Sequence, residues 1–133
     1  MGNFYIADIF RYVEHEKLPL WVEHVEQGTH IECLYHNHEF SEIAIVLHGS
    51  AIHLSSDKAE KISAGDVLVL HPEVLHAYDK THDMELINII YDWKKLALPF
   101  LDGYALPMFY AFFPVNEASS KQNYIKPVMK LNP

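Results

Sequence analysis

The chain has 133 residues, half of them hydrophobic, which suffices for one packed core without covalent staples. Its net charge of −8 and its scattered lysines and arginines exclude a DNA-holding surface, which needs a basic footprint. A lone cysteine, Cys33, excludes an internal disulfide and fits a reducing compartment, so a soluble, cytoplasmic chain is expected.

Residues 1–10 include Asp8 and lack a long apolar core, unlike a signal peptide. Residues 1–18 mix aromatic and charged side chains without a period and are expected as a short helix or an extended arm. Pro19 opens Leu20-Trp21-Val22-Glu23-His24-Val25-Glu26, which alternates as a half-buried strand does. Gln27-Gly28 signals a turn. The chain then reads His36-Asn37-His38-Glu39-Phe40-Ser41-Glu42-Ile43-Ala44-Ile45-Val46-Leu47-His48-Gly49. Side chains at i and i+2 of an extended strand share a face, so His36, His38 and Glu42 are expected to point the same way. Residues 43–47 are strongly β-forming and apolar on both faces, which predicts cover from both sides. Gly49 is expected to permit a reversing turn.

Ala51-Ile52-His53-Leu54-Ser55 and Glu60-Lys61-Ile62-Ser63 flank a polar turn. An echo of the first stretch follows: Gly65-Asp66-Val67-Leu68-Val69-Leu70-His71-Pro72-Glu73-Val74-Leu75-His76, a turn, an apolar strand and a terminal histidine. With the two strands side by side, His76 completes a cluster with His36, His38 and Glu42. His76-Ala77-Tyr78 is expected as a short strand, residues 79–83 as a polar loop and residues 84–91 as a long strand. Short strands separated by Gly, Pro or Asp favour an antiparallel barrel or sandwich. Asp92 is expected to cap one or two helical turns over residues 92–98, and residues 108–113 to form a last strand. The apolar residues 96–115 are interrupted by Pro99, Asp102, Gly103, Pro107 and Pro114 and do not suit a membrane span.

Residues 36–49 and 65–76 together resemble the cupin double motif, in which two histidines, a following glutamate and a later histidine line the mouth of a small barrel. Glu73 stands where that motif usually has glycine. The wording His38-Glu39-Phe40-Ser41-Glu42-Ile43, Gly65-Asp66-Val67-Leu68-Val69-Leu70 and His76-Ala77-Tyr78 is similar to the N-terminal sensor domain of AraC-family transcription regulators. Asn88-Ile89-Ile90-Tyr91 is similar to the rhamnose-responsive members. The resemblance runs over residues 15–115. It implies an all-β, cupin-type double-stranded β-helix (an antiparallel jelly-roll barrel) with short helical segments after Asp92. It also implies an N-terminal arm over residues 1–18, a sensor barrel over 19–115, and a linker from 116–133 toward a C-terminal helix-turn-helix domain absent from this chain. Such a domain binds a small-molecule effector, dimerises with a copy of itself, and meets DNA only through that further domain.

Imidazoles plus one carboxylate suit Zn, Ni, Mn or Fe, which makes His36, His38, Glu42 and His76 candidate metal ligands, with no cofactor obligatory. The same groups can instead form a hydrogen-bonding rim for an organic ligand, as sugar-binding regulators of this kind do. Trp21, Phe40, Tyr78 and Tyr91 are candidate ligand-binding aromatics, because a ring stacks on the apolar side of a sugar while a polar tip bonds a hydroxyl. Tyr78 is the foremost, since it shares the strand face of His76. Ile89 stands where arabinose-binding relatives stack a tryptophan, which argues against arabinose itself. His15, His24, His30, His48, His53 and His82 are read as solvated or rim residues. No phosphate loop or nucleophile elbow is present. Two functions are therefore weighed: an effector-binding domain that is no enzyme, and a metal-dependent cupin enzyme such as a dioxygenase or a sugar isomerase.

Overall fold

Two long strands, β4 (Ser41–Ser55) and β7 (His76–Tyr91), run antiparallel along their whole length and organise the computed structural model. The structure describes residues 5–7, 18–27, 35–56, 58–96, 102–106, 109–113 and 128–130. β2 (Leu20–Val25) joins the late half of β7, and β6 (Asp66–Leu70) joins the early half of β4. β3 (His36–His38) meets β7 at His76, and β5 (Lys58–Ser63) joins the late half of β4. β1 (Tyr5–Ala7) adds to β3 in parallel, and β8 (Val128–Lys130) adds antiparallel to β6. The result is an all-β, largely antiparallel barrel of the cupin type with short helical segments after Asp92.

The strands are longer and more bent than expected. Gly49 does not reverse the chain; β4 passes through it with register shifts between Val46 and Ile52. Its φ is +75°, and a Cβ there would collide with the carbonyls of His82 and Asp83. Only glycine lets the two backbones approach that closely. Opposite it, residues 79–83 are the bent middle of β7 rather than a loop, with Lys80 and Asp83 both in the left-handed region. Bulges kink a strand while keeping the ladder on either side. Each long strand can therefore serve two walls of the barrel, and Glu42 and His53, near opposite ends of β4, come close enough to interact electrostatically.

Around the bend the interior is apolar. Ala44, Val46, Ala51, Ile62, Leu68, Leu70, Met84 and Leu86 form one buried cluster with Tyr78, and Val25 packs against it. Burying each large aliphatic side chain stabilises the fold by roughly 1.5–3 kcal/mol. Outer cover of β4 is only partial: Ile43 and Ile45 are half-buried and Leu47 is exposed. Asp66 is buried; its Oδ2 accepts from the Ser63 amide at 2.8 Å and its Oδ1 lies 3.4 Å from Lys130 Nζ, which fastens β8 to the barrel.

After β7, Asp92 accepts hydrogen bonds from the Lys94 and Lys95 amides at 3.1 and 3.4 Å, capping a single turn. The strand expected over residues 108–113 is instead a helix, α1 (Phe109–Phe112), preceded by a 3-10 turn at Gly103–Ala105. A short apolar run suits either conformation, and here Phe109 buries its ring against Phe113 at 5.1 Å between centroids. Residues 1–4 and 8–17 of the expected arm, and 116–127 and 131–133 of the expected linker, lie outside the described residues. No helix among the described residues is long and apolar enough to cross a membrane.

Candidate functional site

The short β3 ends in a bend at Glu39-Phe40, and β4 starts at Ser41. That bend carries His38 and Glu42 to one place, with Nε2 of His38 3.4 Å from Oε2 of Glu42. β7 opens directly opposite: His76 pairs with His36 in register, and their rings lie 4.3 Å apart. The His38 and His76 rings are 5.1 Å apart, edge to face. His38, Glu42 and His76 are all buried, and one ligand atom from each lies within 4.8 Å of the others. His36 stands beside this trio, 6.2 Å from the His38 ring. The turn between β6 and β7 holds both sides together, because the Glu73 amide donates to the His38 carbonyl at 2.8 Å. Glu73 has φ 68°, which accounts for glycine being usual at this point of the motif.

Backbone carbonyls fix the two imidazoles. His38 Nδ1 lies 2.6 Å from the Phe40 carbonyl and His76 Nδ1 3.0 Å from the Val74 carbonyl. A carbonyl oxygen only accepts, so each Nδ1 carries a hydrogen, and a neutral ring then turns an Nε2 lone pair inward. Burial drives the His76 pKa down to about 4, against the pull of Glu42, so that ring is neutral at pH 7. For Glu42 burial opposes charge, but its close contact with His38 and the fields of the His38, His76 and His36 rings outweigh it and lower its pKa. His38 Nε2 and the Glu42 carboxylate lie 3.4 Å apart, close enough for one cation to meet both. Two imidazole Nε2 atoms and a carboxylate are a fitting donor set for a divalent first-row metal.

His53, read from the sequence as a solvated or rim residue, is instead 2% exposed. Its ring lies 5.9 Å from His76 and 5.7 Å from Tyr78, with which it pairs directly across β4 and β7. Burial takes its pKa down to about 4, partly offset by Glu42. The Tyr78 hydroxyl is pushed up by burial and then by Glu42. The Nε2 atoms of His38, His53 and His76 and the Tyr78 hydroxyl are buried with no hydrogen-bond partner among the described residues.

The other aromatic candidates divide. Phe40 stacks flat on His38, centroids 4.2 Å apart and planes 6° from parallel, and so braces a cluster member. Trp21 pairs with Ile90, which pairs with Glu42, so all three lie in one row on one sheet face. Trp21 sits at the outer end of that row and is 38% exposed, as a rim residue is. Tyr91 follows Ile90 and so faces the opposite way. Its hydroxyl donates to the Phe112 carbonyl at 2.5 Å, and its ring meets Phe113 edge-on at 6.1 Å. Tyr91 is thus not brought to the cluster; it fastens α1 to the barrel's outside.

A family model described as the AraC-like ligand binding domain matches residues 22–118. An HTH-type transcriptional activator RhaR of Yersinia pseudotuberculosis is 36% identical over 88 residues, 65% of this chain and 29% of the relative. Its counterpart from Pectobacterium atrosepticum is 36% identical over 63 residues, 47% of this chain and 22% of the relative. The chain thus spans less than a third of the length of these relatives. Among solved structures, a Streptomyces nucleoside dehydratase superposes over 58% of this chain and 62% of its own, at 20% identity and a TM-score of 0.46. A cupin-2 domain protein of Shewanella frigidimarina does so over 60% and 76%, at 21% identity and a TM-score of 0.45. With its family match covering most of the barrel, the chain belongs to the AraC-like ligand binding domains.

Proposed function

We propose that this chain is the effector-sensing domain of a cytoplasmic AraC-type transcription regulator and binds a small polyhydroxylated molecule, a sugar or a close analogue. The effector enters among His36, His38, Glu42 and His76, with Trp21 at the rim and Phe40 behind His38. One observation carries this reading: buried Nε2 atoms of His38 and His76 converge on a carboxylate without hydrogen-bond partners among the described residues. An unsatisfied buried polar group costs about 1–3 kcal/mol, and a polyol offers donors and acceptors in the number needed. Contact with DNA is assigned to a separate domain beyond this chain, and the working form to a homodimer.

A divalent metal, where present, would be held by His38, His76 and Glu42, with His36 adjacent, and would polarise a ligand oxygen as a Lewis acid. The protein's own part is independent of it. The Phe40 and Val74 carbonyls lock both rings with Nε2 inward, and Phe40 keeps water off one face of His38. The same three-ligand convergence favours a second reading, a metal-dependent cupin enzyme.

Calorimetric titration of a panel of neutral monosaccharides, with elemental analysis alongside, separates the two. Saturable binding to the wild type, weakened tenfold or more in His38→Ala, is expected. Stoichiometric iron or manganese together with turnover of a substrate would replace the sensor by the enzyme.

A further inference from the structure

We infer that His53 and Tyr78 form a second polar subsite in the barrel that selects the effector by one of its hydroxyl groups. The inference rests on the effector-binding reading above and adds the residues that tell one polyol from another. Both residues lie outside the trio of potential metal ligands.

The two side chains are a directly opposed cross-strand pair on β4 and β7, with ring centroids 5.7 Å apart. Both rings flank His76, at 5.9 and 6.4 Å, so the pair adjoins the cluster without joining its donor set. His53 Nε2 and the Tyr78 hydroxyl are both buried and both lack a hydrogen-bond partner among the described residues. A barrel built for stability alone would place aliphatic side chains there, as it does at Ala51, Met84 and Leu86 nearby. The β-bulges around Gly49 determine that His53 points inward at all.

The chemistry of the pair names its partner. A phenol both donates and accepts, and an imidazole Nε2 does one or the other according to tautomer. A ligand hydroxyl, itself donor and acceptor, can satisfy both at once. A ligand carboxylate accepts only, and here it would enter the field of Glu42, which reaches His53 and Tyr78 alike. The subsite therefore suits a neutral hydroxyl and discriminates against the analogue lacking it, because removal leaves two buried polar groups unpaired.

The test uses the 133-residue chain, a panel of neutral aldohexoses with their monodeoxy analogues, and the variants Tyr78→Phe, His53→Phe and His38→Ala. For whichever sugar binds, Tyr78→Phe should weaken affinity about tenfold, yet leave unchanged the affinity for the one deoxy analogue that lacks the recognised hydroxyl. Without ligand the same variant should melt a few degrees higher, since it removes an unpaired buried hydroxyl and little else. This opposite movement of stability and affinity is what a merely structural tyrosine would not give. His53→Phe checks the second partner and should narrow the difference between parent and deoxy sugar in the same way. If sugars bind and His38→Ala abolishes binding while Tyr78→Phe and His53→Phe bind as the wild type does, the subsite is wrong and the sensor reading survives. If both variants lose equal affinity for every sugar, the pair only shapes the pocket and hydroxyl selection is wrong. If no neutral sugar binds the wild type, the sensor reading fails, and the subsite with it.

Discussion

The same two strands, β4 and β7, build both the inert and the reactive parts of this barrel. Around the bend at Gly49 their inward residues are Ala44, Val46, Ala51, Met84 and Leu86, which bury cleanly. Toward their ends the inward residues are Glu42, His53, His76 and Tyr78, all buried, and His53 Nε2, His76 Nε2 and the Tyr78 hydroxyl have no hydrogen-bond partner among the described residues. One region gains stability from close packing; the other gives some up to hold buried polar atoms unpaired among the described residues. The candidate site is thus carried not by a loop but by the ends of the strands that carry the core.

The comparison is broken most forcefully at the bend. Gly49→Ala should cost about 4 kcal/mol or more, because the new Cβ meets backbone rather than a movable side chain at a left-handed φ. Urea denaturation followed by far-UV circular dichroism measures it, and a cost under about 1 kcal/mol would mean that the two strands do not touch there.

Acid should undo the polar region next. His53 and His76 have folded pKa values near 4, below the ordinary 6.5, so the unfolded chain binds more protons between those limits. Their neutral burial is therefore fully accommodated above pH 6.5, and stability falls as the pH drops from 6.5 toward 4. The loss is on the order of 3 kcal/mol per histidine at its limit. Glu42, with its pKa lowered, adds a further loss at lower pH still. Denaturation midpoints of metal-free protein at pH 7, 5.5 and 4 should fall in that order, and His53→Phe should flatten the trend. A flat wild-type profile contradicts the buried, neutral assignment.

The smallest effect has the opposite sign. Glu73→Gly removes a left-handed non-glycine residue without touching the amide that bonds the His38 carbonyl. A gain of about 0.5–1 kcal/mol is expected, readable as a rise in Tm, with ligand affinity unchanged.

The motif at residues 36–49 and its echo ending at His76 make the cluster legible before any coordinates. Strand parity and the turn at Gly65 carry that far. Parity fails where β4 bulges. Counting by twos from Glu42 through Ala44 and Val46 puts Ile52 inward, but the register shifts between Val46 and Ile52 turn Ala51 and His53 inward instead. His53 was hidden by this local change of phase, which no composition signals. Tyr91 is the converse case, since counting from Ile90 already places it on the other face. The aromatic run at residues 109–113 has no clear period over so short a length, and its contact with Tyr91 is long-range, so helix and strand were equally open there.

β1 lies parallel to β3, with Tyr5 opposite His36 and Ala7 opposite His38. The N-terminal segment is thus hydrogen-bonded to the very strand that presents two cluster histidines. By linkage, the factor by which a bound molecule changes the docking of β1 on β3 equals the factor by which that docking changes its affinity. Measured in reverse, loosening residues 5–7 should alter affinity in the pocket by the factor with which occupancy alters their docking.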